Sequence, residues 1–474
     1  MKAKSKLPNL DTVTTINEDG SRFNIHPADV RGRFTRWRRI AALLLIGVYI
    51  LLPWIPVNGY PAVFLDVLHR RFHLFGITLA AQDLWLLFFF LSGMAFLLFY
   101  ITAFLGRVWC GWACPQTVFL EHVFRRIERF IEGDAPARRK LDAAPMTPPK
   151  LFKRVLKHGI FLILATIIAH IFLSYFISIP QLWEWIRTSP VEHWKAFFFI
   201  IITTLLLYGN FAWFREQLCI VICPYGRFQS ALIDDDTLNV AYDYGRGNPP
   251  GSVKNPEAGD CIDCRRCVQV CPTGIDIRQG LQLECIGCAN CMDACDEIMD
   301  KVKRPRGLIR YASERNLEGF KTRLLRPRSI LYTGLLFLGI GVAGFAFSTV
   351  DKAVAMATRM PGAPFYVTDT HIRNQYQIRL INKDSRDLSF SVSIQANGLT
   401  VPVESSGFAG AEILSPMEEK NNTFVVQVPR EAYEGPFALK ILVEAEPGDI
   451  ELEREVEFLG PDPELLRRQS QANP

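Results

Sequence analysis

Two neighbouring stretches of the chain decide the fold of its central part. The first reads Cys261-Ile-Asp-Cys264-Arg-Arg-Cys267-Val-Gln-Val-Cys271-Pro272, and the second reads Cys285-Ile-Gly-Cys288-Ala-Asn-Cys291-Met-Asp-Ala-Cys295-Asp296. Each stretch separates its four cysteines by two, two and three residues. Zinc ribbons also use Cys-x2-Cys pairs, but two consecutive runs of four cysteines at these intervals are the ligand pattern of iron-sulfur clusters. The sequence therefore predicts a cluster-binding domain over residues 260–300.

The spacing also predicts which thiols share a cluster. In a bacterial-type two-cluster ferredoxin, three closely spaced thiolates bind one [4Fe-4S] cube and the fourth thiolate binds the other cube. We therefore assign one ligand set as Cys261, Cys264, Cys267 and Cys295, and the other as Cys285, Cys288, Cys291 and Cys271. Asp296 stands where the second motif would normally have proline, and this change removes no ligand.

Five long uncharged stretches elsewhere in the chain predict membrane-spanning helices. A helix needs about 20 apolar residues to cross the hydrocarbon core of a bilayer. The predicted spans are Ile40–Pro56, Leu84–Leu105, Gly159–Pro180, Ala196–Phe214 and Ile330–Val350. The first is short and contains Pro53, but Trp37 and Trp54 flank it as residues of the two membrane interfaces do. We therefore expect a helical bundle of five transmembrane helices.

Lys and Arg residues predict the orientation of these spans, because short loops rich in them stay in the cytoplasm. The loop 106–158 carries eleven Lys and Arg residues, whereas the segment after the first span offers only Arg70 and Arg71. The N-terminus and residues 215–329 are therefore expected inside, and residues 351–474 outside. All twelve cysteines then face the compartment that keeps thiols reduced, which indicates metal or redox chemistry. The net charge of +5 is too small to predict nucleic-acid binding.

The four remaining cysteines form a repeated motif after the second and fourth spans. Arg107-Val-Trp-Cys110-Gly-Trp-Ala-Cys114-Pro115 and Arg215-Glu-Gln-Leu-Cys219-Ile-Val-Ile-Cys223-Pro224 share the pattern CxxxCP. Their offset of 109 residues predicts a parallel internal repeat that brings the four sulfurs together across a pseudo-twofold axis. Four soft ligands suit copper as Cu(I) or another thiophilic metal, and they could also cycle between dithiol and disulfide.

Four weaker patterns concern the remaining membrane segments. His170, near the middle of the third predicted span, is a candidate contact for metal, haem or quinone, with polar packing as the alternative. His69 and His73 lie four residues apart in an amphipathic stretch, which predicts an interfacial helix and would also suit Cu(II) chelation. Val118–Ile131 predicts a second helix on the inner membrane surface, in which Glu121 could support the nearby motif. Residues 134–150 and 1–30 are expected to be a loop and a disordered tail.

Residues after the fifth span alternate between apolar and polar side chains, as half-buried strands do. About seven such strands over roughly 100 residues predict an all-β immunoglobulin-like sandwich. The complete division is a tail 1–38, a four-helix membrane domain 39–228, a linker 229–259, the ferredoxin domain 260–300, a basic connector 301–329, the fifth helix 330–350 and the sandwich 351–474. The sandwich has no cysteine, acid pair, nucleophile triad or ligand cluster, so we expect a binding or spacing module rather than an enzyme.

These motifs together resemble the FixG/RdxA/CcoG family of cytochrome c oxidase accessory proteins over nearly the whole chain. The CxxxCP-bearing spans and the ferredoxin insert also resemble the quinol dehydrogenase component of nitrate reductase systems, which lacks the sandwich. The family resemblance implies a bacterial inner-membrane protein with a cytoplasmic ferredoxin domain and a periplasmic sandwich. It further implies assembly of a cbb-type oxidase by reduction of Cu(II) to Cu(I).

Two functions therefore remain open at this stage. In the first, the protein acts as a cupric reductase in which Cys110, Cys114, Cys219 and Cys223 carry the reaction, with a cytoplasmic electron donor and with oxidase subunits or copper-delivery proteins as partners. In the second, the protein is a quinone-linked electron carrier, with quinone contacting His170. Dependence of cluster oxidation on copper or on quinone distinguishes them.

Overall fold

The computed structural model describes residues 24–68, 70–79, 83–349, 351–384, 386–396, 403–407, 410–416, 418–448 and 450–466. The chain separates into two compact units, one up to Phe345 and one from Ala346. The first unit contains the ferredoxin insert and the predicted spans, and the second contains the predicted sandwich.

Five helices of the described residues are long and apolar enough to cross a membrane. These spans 1 to 5 are Arg33–Trp54, Trp85–Leu105, Pro148–Leu173, Trp194–Phe214 and Pro327–Ser348. The prediction of five spans is confirmed, but spans 1 and 3 begin earlier along the chain than predicted because their first turns carry basic residues. Proline lies in the first turn of span 3, where a missing backbone N–H costs no hydrogen bond.

The segment between spans 1 and 2 differs from the prediction of an interfacial helix. After span 1 the chain forms strands β1 Pro56–Val57, β2 Tyr60–Pro61, β3 Val63–Asp66, β4 Arg71–Leu74 and β5 Ile77–Leu79, not an interfacial helix. Residues four apart do not meet along a strand, so the predicted histidine chelate is not formed by a helix. His73 is instead buried and its Nδ1 lies 2.9 Å from Oγ1 of Thr78. His69 lies outside the described residues.

The predicted loop after the first motif contains a helix, Ala135–Ala143. Short helices also connect the remaining parts of the first unit. They are Val108–Trp112, Pro115–Phe119, Arg125–Glu132, Ile179–Arg187, Pro224–Leu232, Tyr244–Gly247, Arg266–Gln269, Asn290–Lys301 and Glu314–Leu317, with π-helical turns at Leu120–Phe124, Gly209–Phe214 and Leu218–Ile222.

A strand that precedes the ferredoxin insert in the sequence pairs with a strand that follows it. Strand β6 Asn239–Tyr242, in the predicted linker, pairs antiparallel with β7 Ile309–Ala312, in the predicted connector. Val240, Tyr242 and Ile309 belong to the same buried cluster as several ferredoxin cysteines. The cysteine-bearing loops are therefore held against a small sheet that the spacing pattern did not reveal.

Residues 24–30 of the N-terminal tail are packed, which corrects the expectation of disorder for this part; residues 1–23 lie outside the described residues. Ile25 and Val30 are buried, and the backbone N–H of Ala28 donates to the carbonyl oxygen of Gln269. Asp293, in the ferredoxin helix, accepts hydrogen bonds from the backbone N–H groups of Phe34 and Thr35 at the start of span 1. A carboxylate at this position caps the helix and complements its dipole.

The second unit is a two-sheet sandwich, as predicted. Its strands are β8 Ala353–Arg359, β9 Tyr366–Val367, β10 His371–Asn382, β11 Leu388–Ala396, β12 Glu404–Ser406, β13 Glu412–Leu414, β14 Glu419–Pro429, β15 Phe437–Glu446 and β16 Ile450–Phe458. One sheet has the order β12-β14-β10-β8 with β9 on β10, and the other has the order β13-β11-β15-β16. Alternate residues such as Tyr376, Phe390 and Phe424 are buried between the sheets, so apolar packing holds the unit together without a disulfide.

Candidate metal centres

The eight ferredoxin cysteines line two neighbouring cavities. The first is lined by the thiols of Cys261, Cys264, Cys267 and Cys295. The second is lined by Cys271, Cys285, Cys288 and Cys291, and Cys267 also borders it. Burial, and then the neighbouring Cys267, Cys264, Asp296 and Cys261, raise the pKa of Cys295 to about 12. Each cavity thus holds one of the predicted sets of four thiols, whose protons a bound metal would have to displace.

The two cysteine loops share an unusual backbone geometry. Asp263 and Arg265 in the first loop have φ angles of 53°, and Gly287 and Ala289 occupy the same positions of the second loop with 65° and 61°. Left-handed residues between right-handed ones turn successive backbone N–H groups toward one point, which is a common site for anions and iron-sulfur clusters. The N–H of Gly287 accordingly points to Sγ of Cys285 at 3.4 Å. The backbone therefore fits an anionic cluster in each loop.

The two CxxxCP motifs are related by the predicted internal repeat. Span 2 ends at Gly106 with φ 54° and ψ −121°, and span 4 ends at Arg215 with φ 52° and ψ −120°. Cys114 and Cys223 each begin the following helix from an extended conformation, with φ of −61° and −64°. Both pairs are separated by the same offset as the cysteines, so the two segments begin and end with the same backbone geometry, although Cys110 lies in an α-helical turn and Cys219 in a π-helical one.

The four CxxxCP thiols lie close enough for their charges to interact. Cys114, Cys110 and Cys223 all contribute to raising the pKa of Cys219, after burial. Burial raises the pKa of Cys110 to about 11, although an amide hydrogen bond opposes the rise. That amide belongs to Gln229, whose side chain is fully buried and whose Nε2 donates to Sγ of Cys110 at 3.2 Å.

Among the described residues, no three His, Cys, Asp or Glu side chains converge closely enough to hold a single metal ion. This holds for the four CxxxCP cysteines and equally for the eight ferredoxin cysteines. All twelve thiols are free of disulfides, and Cys264 is the exposed one. The arrangement therefore differs from that of a compact single-ion site.

The first CxxxC loop packs directly on the ferredoxin loop that carries Cys285 and Cys288. A Cβ atom on Gly111 would lie 2.6 Å from the carbonyl oxygen of Ile286 and 2.8 Å from Cα of Cys288. A Cβ atom on Gly287 would lie 3.0 Å from the backbone of Arg107. Both glycines are therefore needed for the close approach of the two loops.

Arg107 and two aromatic residues strengthen the same contact. The buried guanidinium of Arg107 donates to the carbonyl oxygens of Cys285 at 3.1 Å and of Gly226 at 2.9 Å. It therefore connects the ferredoxin loop with the helix that follows the second motif. Nε1 of Trp112 donates to the hydroxyl of Tyr311, which donates to the carbonyl oxygen of Gly287.

One face of the charged helix after the first motif is buried, whereas Phe130 on the same helix is exposed, so the predicted surface helix also carries a buried ion-pair face that the sequence did not reveal. Arg125 forms ion pairs with Glu121 and with Glu216, the latter at 2.8 Å, and it donates to the carbonyl oxygen of Pro272 at 3.2 Å. Burial alone would raise the pKa of Glu121, but Arg125 and Arg38 lower it to about 2. Alternation of charged and apolar residues fits both a solvated face and a buried ion-pair face, so the sequence could not distinguish them.

A second group of ion pairs continues this network around Glu128. Arg215, at the end of span 4, binds Glu128 through both terminal nitrogens at 3.0 and 3.3 Å, and Lys157 of span 3 lies 3.5 Å from the same carboxylate. The sequence shows an arginine before each CxxxCP motif, Arg107 and Arg215, but it does not show that Arg107 binds the carbonyl oxygen of Cys285 and that Arg215 binds Glu128. The network fixes spans 3 and 4 relative to the first motif.

His170 lies apart from the thiols. It is close to the end of span 3 at Leu173, not at the middle as predicted, and its Nδ1 donates to the carbonyl oxygen of Thr166 at 2.8 Å. A groove of about 500 Å³ beside it is lined by spans 3 and 4 and by the helix Ile179–Arg187. In this groove the buried hydroxyl of Thr204 has no hydrogen-bond partner.

Comparison with known proteins agrees with this architecture. Residues 86–133 match a family model described as a 4Fe-4S binding domain, residues 214–314 match a 4Fe-4S dicluster domain, and residues 343–461 match the IG-like fold at the C-terminal of FixG. The chain is 38% identical to Protein RdxA of Cereibacter sphaeroides, over 82% of this chain and 86% of that protein. It is 35% identical to Nitrogen fixation protein FixG of Rhizobium meliloti, over 83% and 84% of the two chains. It is 26% identical to Ferredoxin-type protein NapH of Haemophilus influenzae, over 56% and 88%.

The spans, the paired cysteine cavities and the matches to 4Fe-4S domains define a membrane-bound iron-sulfur electron-transfer protein. The extent of the identity to RdxA and FixG, together with the matching sandwich, identifies the family within this class. It belongs to the FixG/RdxA family.

Proposed function

We propose that this protein transfers electrons from a reduced cytoplasmic donor protein to Cu(II) at the four CxxxCP cysteines, as an assembly factor for a cbb-type cytochrome oxidase. One electron from the donor converts one Cu(II) to Cu(I), which oxidase subunits or copper-delivery proteins then accept. The observation that supports the proposal is the packing of Gly111 on the loop from Cys285 to Cys288, because this contact joins the loop of the first motif directly to the ferredoxin domain.

The chain supplies ligands of the right kind for each part of this function. We propose Cys261, Cys264, Cys267 and Cys295 as ligands of one [4Fe-4S] cluster, and Cys285, Cys288, Cys291 and Cys271 as ligands of the other. When bound, such clusters supply one-electron carriers. Cys264 is the exposed thiol, so its face of the domain is the proposed docking site for the donor.

The CxxxCP thiols either ligate copper directly or hold the last carrier before copper. Thiolates are soft ligands that favour Cu(I) over Cu(II), so their presence promotes the reduction. Arg107 and Gln229 hold the first motif in place from the ferredoxin loop and from the second repeat. These two contacts support electron transfer between the ferredoxin domain and the first motif.

The proposed sidedness follows from the Lys and Arg distribution and from the family resemblance. The N-terminus and the ferredoxin domain face the cytoplasm, and the sandwich faces the periplasm of a bacterial inner membrane, where it binds the oxidase or its copper-delivery proteins. Reporter fusions after residues 150, 260 and 400 should read inside, inside and outside. An inside signal after residue 400 would contradict this topology.

A quinone-linked carrier is the second candidate, and the groove beside His170 favours it. Quinones need an apolar cavity with a few polar groups, which this groove provides. Thr204, however, lies ten residues before the end of span 4, or roughly 15 Å along the helix axis, whereas the second motif begins directly after that end. Copper at the thiols is therefore the better supported acceptor.

The decisive experiment reduces the anaerobically purified protein and challenges it separately with Cu(II) and with a soluble quinone. We expect stoichiometric Cu(I) formation in the wild type and its loss in the double variant Cys110→Ser/Cys219→Ser. Ala113→Ser is the matched control, because it adds a hydroxyl to the same loop without removing a thiol. Unchanged copper reduction in the double variant, or oxidation by quinone alone, would contradict the proposal.

A further inference from the structure

We propose that Cys110, Cys114, Cys219 and Cys223 hold a third iron-sulfur cluster, of the [4Fe-4S] type, between the ends of spans 2 and 4. The inference rests on the proposed electron-transfer function and names the resident group at the site where copper is reduced. Copper is then a substrate that receives an electron at this site, and it is not the ion that the four thiols ligate.

The spread of the four sulfurs favours a cluster over a single ion. A thiolate binds a single ion of this kind at about 2.3 Å, so sulfurs that share an ion lie within about 4.6 Å of one another. The four CxxxCP thiols do not converge in this way, and neither do the eight ferredoxin thiols. Each thiolate of a [4Fe-4S] cube binds a different iron, so its ligands necessarily stand farther apart. A four-iron cluster therefore suits the spacing of the membrane thiols better than a single ion does.

The charge of Arg107 provides an independent argument. Its side chain is buried, with 6% exposure, and it donates hydrogen bonds to two carbonyl oxygens. The groups beside it that would favour its charge are the thiols of Cys285 and Cys110, which become anionic only when a metal displaces their protons, and Glu284. A buried guanidinium without a close anion is destabilising. Anionic thiolate-ligated clusters on both sides of Arg107 would remove this penalty.

The comparison with known domains points to the same group. The segment 86–133, which matches a 4Fe-4S binding domain, contains Cys110 and Cys114 and none of the ferredoxin cysteines. Two thiols do not complete a cube. The internal repeat supplies the other two, because Cys219 and Cys223 follow an identical turn at the end of span 4.

The test is the iron and acid-labile sulfide content of the full chain, purified anaerobically. We expect about twelve of each per chain, against about eight if only the ferredoxin domain is loaded. Cys110→Ser/Cys219→Ser should lose about four irons while the electron paramagnetic resonance signals of the two ferredoxin clusters persist. The matched control Cys264→Ser/Cys295→Ser should lose about four irons from the ferredoxin domain and retain the signal of the membrane site.

A second measurement covers the case in which these variants fail to fold. In the wild-type protein, all four CxxxCP thiols should resist alkylation until an iron chelator is added, as mass spectrometry of the peptides would show. Eight irons per chain, or alkylation of these thiols before chelation, would overturn the third cluster. If copper is still reduced in that case, the proposed function survives. Twelve irons without copper reduction would instead support the cluster and overturn the copper function.

Discussion

Replacing Gly111 by alanine tests the contact on which electron transfer to the thiols depends. The new Cβ would lie 2.6 Å from the carbonyl oxygen of Ile286 and 2.8 and 2.9 Å from Cα and N of Cys288. Since ordinary contacts begin near 3.4 Å, the two loops must separate by about 0.8 Å. All three neighbours are backbone atoms, so no side chain can rotate away. Such overpacking costs about 1–3 kcal/mol.

We expect Gly111→Ala to retain its iron, to melt roughly 2–10 °C lower and to reduce Cu(II) more slowly than the wild type. Stopped-flow measurement of Cu(I) formation by the pre-reduced protein, together with iron analysis and thermal unfolding in detergent, gives the three quantities. Gly93→Ala in span 2 is the matched control, because a Cβ there meets nothing within 4 Å. A Gly111→Ala variant with wild-type melting temperature and wild-type copper reduction would refute the proposed packing.

Three further predictions follow from the buried charges and the sandwich. Arg125→Met leaves Glu121 and Glu216 without their shared cation and should destabilise the protein by about 3–5 kcal/mol, measured by thermal unfolding; an unchanged melting temperature would argue against the ion-pair network. The pKa of Glu121 is lowered from 4.5 to about 2 in the folded protein, so its carboxylate stabilises the fold above pH 4.5 and loses this effect as the pH falls toward 2. Glu121→Gln should therefore make the melting temperature depend less on pH in the acid range. A pH profile identical to that of the wild type would contradict this. Phe390→Ala, fully buried in the sandwich, should cost about 3–5 kcal/mol without loss of iron, whereas the exposed control Ile413→Ala should change little; equal effects would place the core elsewhere.

The sequence alone determined the parts of this protein whose signals are local. The intervals between Cys261 and Cys295 predicted two thiol sets because cluster ligands must come from a short loop and one more distant residue. The uncharged runs predicted five spans because a bilayer accepts only helices of that length. Alternation predicted the sandwich because side chains on a strand point to opposite faces.

The tertiary structure decided what depends on a distant partner. The charges around Arg125 fitted a surface helix equally well until Glu216 and Pro272, far away in sequence, were found against them. The interval between His69 and His73 would place two imidazoles together only on a helix, and the hairpins between spans 1 and 2 prevented one.

The clearest case is the difference between the two CxxxCP motifs. Gly111 in the first motif corresponds to Ile220 in the second, and no local rule requires a glycine there. The reason is the loop from Cys285 to Cys288, which packs on the first motif and leaves no space for a side chain. Periodicity and spacing indicate only which residues are neighbours along the chain. Gly111, by contrast, is required by the backbone of Ile286, which lies about 175 positions later in the sequence.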